Sequence, residues 1–143
     1  MKKFFYPSSH DYKVSFALLL MRLVAGTAFM FHGWPKIQHA FSWMPPEAPV
    51  PGFLQALAAF SEFVGGLAWV LGLLTPLASL GILSTMTVAV NFHLSRGDGF
   101  VGHGVSYEPA LVYLCLSILF VLAGAGKFSL DAVLFGKAKD RQS

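Results

Sequence analysis

The chain has 143 residues, of which 55% are hydrophobic and only 12% charged, and its formal net charge is +3. A soluble domain carries about a quarter of its residues charged, so this composition excludes an ordinary water-soluble fold and makes lipid the surrounding solvent. The positive charge does not indicate nucleic acid. Its cations gather at the chain ends (Lys2, Lys3 and Lys13; Lys127, Lys137, Lys139 and Arg141) and form no stripe across a folded face.

A membrane crossing takes about 20 apolar residues for a hydrocarbon core of ~30 Å. After a basic segment, residues 1–13, the first such stretch is VSFALLLMRLVAGTAFMFH, and a helix is expected over about 14–34. It is too long for the apolar core of a signal peptide, carries Arg22 and ends in HGWPK where a cleavage site would need small residues. It is therefore read as a retained helix. Residues 38–52 follow, rich in proline with Phe41 and Trp43, and suit an interfacial loop. The second span is FLQALAAFSEFVGGLAWVLGLL, about 53–74. Leu74-Thr75-Pro76 leaves almost no linker, so the second and third helices must be antiparallel neighbours.

The third span, about 76–95, reads PLASLGILSTMTVAVNFHL, and a glycine-rich loop (Gly97, Gly99, Gly102, Gly104) suited to mobility leads into the fourth, about 108–126. Beyond it SLDAVLFG is weakly amphipathic through Leu130, Val133 and Leu134 and is expected along the membrane surface. Residues 133–143 form a basic tail. The expected fold is all-α, an integral membrane four-helix bundle over residues 14–132. Lys and Arg outnumber at the two ends those in the loops, which hold Lys36 and Arg96, so the positive-inside rule places both termini in the cytoplasm.

Polar groups inside the spans carry the functional question. A charge at the bilayer centre costs ~2.5–3.5 kcal/mol even on insertion scales, so it faces the bundle interior and seeks a partner. Arg22 shares a stripe with Gly26, Phe29 and Gly33; Glu62 shares one with Ala58, Ala59, Gly65, Gly66 and Trp69. Small residues on these stripes permit close helix approach. Counted from the expected helix ends, the two charges differ in depth by ~6 Å, and an Arg22–Glu62 ion pair is expected. A second group, His32, Lys36, His93 and Glu108, gathers at the outer ends of the spans, with Ser84, Thr87 and Asn91 as a polar track down the third helix.

Each feature has a plainer reading. The buried pair can be a structural pin, the histidines solvated helix ends, and the hydroxyls bonded to their own backbone. Trp34, Trp43 and Tyr107 are interfacial aromatics, and Cys115, the lone cysteine, is packing with no disulfide or metal role. No nucleophile elbow, CxxC pair, phosphate loop or HExxH is present. No metal site is expected, no cofactor is recognisable in the chain, and haem held by His32 and His93 is not expected.

The ordered set of an arginine in the first helix, FHGWPK (Phe31 to Lys36), SEFVGGLAWVLGLLTP (Ser61 to Pro76), Tyr107-Glu108 and GAGKFSLD (Gly124 to Asp131) resembles the DoxX family of small bacterial membrane proteins. The resemblance covers about residues 14–132. It implies a four-helix membrane bundle and a place near quinone-linked oxidoreductases, among which the family's founding member and its thiosulfate:quinone oxidoreductase relatives are counted. On that view the chain sits in the bacterial inner membrane, with other membrane or redox subunits, or a copy of itself, as partners. Quinone is then a substrate, and Lys36, Glu62, Asn91, His32, His93 and Glu108 are the candidate quinone and proton site. Two other readings stay open, a non-enzymatic scaffold or assembly factor and a small-molecule carrier. Whether this chain is itself an enzyme is open as well.

Overall fold

The computed structural model describes residues 11–46, 50–102 and 104–136. Most of the expected N-terminal segment and basic tail lie outside the described residues. The elements are α1 (Tyr12–Gln38), α2 (Gly52–Leu71), α3 (Thr75–Ser95), α4 (Glu108–Ala123) and a short α5 (Leu130–Phe135), with no strand among the described residues. The all-α membrane fold is as expected. Three helices, α1 to α3, are long and apolar enough to cross a bilayer, while the apolar α4 is shorter, at 16 residues.

The helix boundaries follow local chemistry. Asp11 caps α1 by accepting the Tyr12 N–H at 2.7 Å. Pro35 lies inside the helix, yet α1 runs on to Gln38, beyond the expected end. A proline so close to a C-terminus removes only one ladder hydrogen bond. Pro51 precedes α2, which stops at Gly72 in the left-handed conformation, φ 65°. There the Gly72 and Leu73 N–H groups donate back to Trp69 O and Ala68 O, a helix-terminating glycine arrangement. Pro76 then sits in the first turn of α3, where its missing N–H is no loss. The linker is as short as expected and folds α2 and α3 into neighbours. The fourth span ends earlier than expected. Gly124 (φ 72°) and Gly126 (φ 77°) turn the chain out of the helix and back beneath the bundle.

The bundle has a turn end, with the α2–α3 turn, and a loop end, with residues 39–46, 50–51, 96–102 and 104–107. α1 packs most extensively on α2. Their backbones touch where the two small-residue stripes cross. A Cβ at Gly66 would stand 2.7 Å from Gly26 O, and one at Gly26 would stand 2.6 Å from Gly66 O. Both stripes are buried, through Arg22, Gly26, Phe29 and Gly33 on one helix and Ala59, Glu62, Gly65, Gly66 and Trp69 on the other, while Ala58 at the stripe's edge is half-buried. The core is aromatic at its centre. Trp69 meets Phe29 edge-on at 5.5 Å and Phe120 at 4.8 Å, and its indole N–H donates to Ser79 Oγ at 2.9 Å. The glycine-rich loop folds back on itself, with Tyr107 N–H donating to Gly99 O and Glu108 N–H to Phe100 O.

Candidate functional site

The polar residues separate into assemblies at different places. At the turn end, Arg22 is fully buried. Its guanidinium donates to Trp69 O at 3.1 Å and to Phe128 O. It thereby caps the last turn of α2 and holds the segment that returns from α4. Gly72 leaves room for it, since a Cβ there would stand 2.0 Å from Arg22 Nη1. Asp131, also buried, accepts the Leu74 N–H at 2.6 Å and the Thr75 N–H at 2.9 Å, while its own N–H donates to Gly72 O at 2.8 Å. Its carboxylate thus neutralises the free amides that begin α3 and is the opposite charge acting on Arg22.

Toward the loop end, Glu62 is gripped by Lys36, whose ammonium lies 2.6 Å and 2.7 Å from the two carboxylate oxygens. The same ammonium stands 4.6 Å from the centroid of the Trp43 ring. Trp43 in turn donates to Gln55 O at 2.9 Å, and the Gln55 side chain bonds Met44 N and Val50 O. Residues Trp43, Met44 and Val50 of the connection from α1 to α2 are thereby tied down beside the ion pair.

The expected Arg22–Glu62 pair does not form, and the reason is register. Gly26 lies against Gly66 and Val70, and Gly33 against Phe63, so Glu62 is ~16 Å along α1 from Arg22 at 1.5 Å per residue. The expected depths took the two helix ends as level. In the fold α1 begins well below α2, and the uncovered turns are occupied by the chain after α4. Lys127 N–H donates to Ser15 Oγ at 3.2 Å, and its ammonium lies 4.0 Å from the Tyr12 ring centroid.

The expected polar track is also absent as a path to Glu62. Ser84 and Thr87 bond their own backbone, to Leu80 O and Leu83 O, and the Asn91 amide donates to Thr87 O. All three side chains are exposed on the outer flank of α3. His93 turns away to Asp98, with Nδ1 2.8 Å from Oδ2. Thus Lys36 and Glu62 come together, while Asn91 and His93 stand apart from them.

His32 lies instead beside a residue that sequence reasoning passed over, Tyr113, which shares a groove with Glu108. The His32 ring lies 6.5 Å from the Tyr113 ring, and Phe29, one turn earlier on α1, meets Tyr113 edge-on at 4.6 Å. Below them α1 and α4 stay apart, leaving a lateral groove of about 380 Å³. Glu108 and Tyr113 line it together with Met21, Val24, Val112 and Leu116. The groove is apolar along its length, and its polar groups come from the first turns of α4. Tyr113 was legible only as a polar-tipped aromatic inside an apolar span. Asp131, equally missed, stood in the first turn of a helix opened by Ser129, whose hydroxyl accepts Ala132 N–H at 3.1 Å. No group of three His, Cys, Asp or Glu side chains suited to a metal ion occurs among the described residues.

Comparison with known proteins finds relatives over most of the chain. The DoxX family model matches residues 17–95. An uncharacterized protein of Haemophilus influenzae is 31% identical over 123 residues, covering 84% of this chain and 92% of its own. The inner membrane protein YqjF of Escherichia coli is 31% identical over 120 residues, covering 82% of this chain and 91% of its own. No solved structure matches.

Proposed function

The chain belongs to the DoxX family of membrane proteins, and from that premise we propose that it is a quinone-binding partner of an oxidoreductase in the bacterial inner membrane. The observation that carries this reading is the groove between α1 and α4, apolar along its walls and bearing Glu108 and Tyr113. An isoprenoid quinone is a long apolar tail with a head that needs hydrogen bonds at its carbonyl oxygens. Such a molecule moves within the bilayer, so a groove open sideways to lipid suits it better than one open to water. Small-molecule sites typically combine an apolar lining with a few placed polar groups. Reduction of a quinone takes two electrons and two protons. A partner protein delivers the electrons in this reading, and Glu108 with His32 passes the protons.

Orientation follows the cation excess at the chain ends, with the turn end in the cytoplasm and the groove's polar residues toward the opposite face.

The test is equilibrium quinone binding to the purified protein in lipid nanodiscs. Wild type is expected to bind saturably. Glu108→Gln and Tyr113→Phe should each weaken binding about tenfold, the loss of one hydrogen bond to a buried polar head. Leu116→Trp should abolish binding by filling the groove. Absence of saturable binding in folded wild type overturns the proposal. It would leave the scaffold reading, which one observation favours: Arg22 and the Lys36–Glu62 pair are fully engaged in holding helices and returning chain together.

A further inference from the structure

The third helix has an organised face that none of the described residues covers. In α3 17% of the spanning window is buried, against 33% in both α1 and α2. Its inward side, through Ser79, Ile82 and Met86, is buried in the bundle. On the opposite flank Leu77, Leu80, Ser84, Thr87, Asn91 and Leu94 are all exposed. Their separations alternate three, four, three, four, three. That is an unbroken heptad seam, the pattern that keeps one stripe against a single supercoiling partner helix.

Its chemistry changes along its length. The ends of this seam are leucine, whereas its middle, Ser84, Thr87 and Asn91, is small or polar. Ser84 and Thr87 satisfy their hydroxyls on their own helix, so they add little polarity and let a second backbone come close. Asn91 differs. One amide N–H donates to Thr87 O at 2.8 Å, while its other N–H and its carbonyl oxygen have no partner among the described residues. A half-used amide is complementary to another half-used amide.

We infer that α3 is a homotypic interface through which two copies of this chain pair in the bilayer. Copies inserted the same way meet with their α3 helices parallel. In a parallel pair each seam position faces its own counterpart, so Asn91 of one copy meets Asn91 of the other, donor to acceptor in both directions. This self-match is what singles out a second copy as the occupant. The interface lies on a different helix from the α1–α4 groove and does not depend on quinone binding.

The experiment is a cysteine walk along α3 in native membranes. Cys115→Ser first removes the exposed native thiol, and single cysteines are then placed from 80 to 94 and oxidised. Disulfide-linked dimer is expected to peak for Leu80→Cys, Ser84→Cys, Thr87→Cys and Asn91→Cys. It should fall several-fold for Thr85→Cys and Ala89→Cys, and for the control Val24→Cys on the exposed side of α1. A flat profile, a peak at the control, or linkage only to other proteins overturns the inference. Asn91→Leu, followed by dilution energy transfer in liposomes, should lower the association constant about tenfold while leaving helix content unchanged. Unchanged association in that variant overturns the amide pairing, and a monomer at every protein-to-lipid ratio overturns the interface itself.

Discussion

Lys36 and Glu62 differ in how far each can escape when the other is lost. Glu62 keeps 3% of its side chain exposed and Lys36 keeps 27%. A lysine near a helix end can swing its ammonium out to the interface, whereas a buried carboxylate stays where it is. Removing one partner of a buried pair costs about 3–5 kcal/mol when the other is stranded. Lys36→Met is therefore expected to destabilise by about 3 kcal/mol, and Glu62→Gln by ~1 kcal/mol, the partial exposure of lysine screening the loss. Unfolding in detergent reads both values. An equal loss in the two variants would show that the lysine is held as tightly as the acid. Double-mutant cycles give a second check at this scale. Arg22→Met and Asp131→Asn should couple by more than about 1 kcal/mol, since both hold the same turn. Arg22→Met and Glu62→Gln should be additive within ~0.5 kcal/mol, being far apart.

Between elements, the crossing of α1 and α2 rests on contact of backbone with backbone. A side chain at Gly66 would meet Gly26 O, Met30 N and Phe29 Cβ, all within 2.9 Å. None of these is the free end of a flexible side chain, so the helices themselves must separate. Gly66→Val is expected to destabilise by about 2–3 kcal/mol through overpacking. Gly104→Ala in the loop, where nothing lies within 4 Å of the added methyl, should change stability by less than ~0.5 kcal/mol. Thermal unfolding of the two variants side by side checks the contrast. A tolerated Gly66→Val would mean that the crossing is looser than the backbone distances imply.

For the molecule as a whole, the start of α1 and the chain leaving α4 lie side by side at the turn end, joined by the Lys127–Ser15 hydrogen bond. The start of α1 and the chain leaving α4 therefore lie on one side of the bundle. With the cation excess at these ends, that side is expected to be the cytoplasm. An alkaline phosphatase fusion after Ser143 should be inactive and one inserted at Gly102 active. The reverse pattern would invert the orientation, and activity at both sites would contradict the paired ends. Arg22 and Asp131 bear on this scale too. They tie the post-α4 segment to the α2–α3 turn, so losing either should loosen the whole turn end and raise proteolysis near Lys127 in inside-out vesicles.

The membrane-protein class, three spans of full length, the tight α2–α3 turn and the buried small-residue stripes were legible in the sequence, because each depends on residues close together in the chain. Length and apolarity are set by the bilayer, proline and glycine set local dihedrals, and a helical face repeats every three or four residues. The partners of the buried charges were not legible, because they depend on how far one helix slides along another. That slide was decided where Gly26 crosses Gly66 and where the chain after α4 filled the space beneath α2. It moved Glu62 from Arg22 to Lys36 and gave Arg22 two backbone carbonyls as partners. The groove beside Tyr113 is likewise a product of packing, since only the spacing of α1 and α4 opens it.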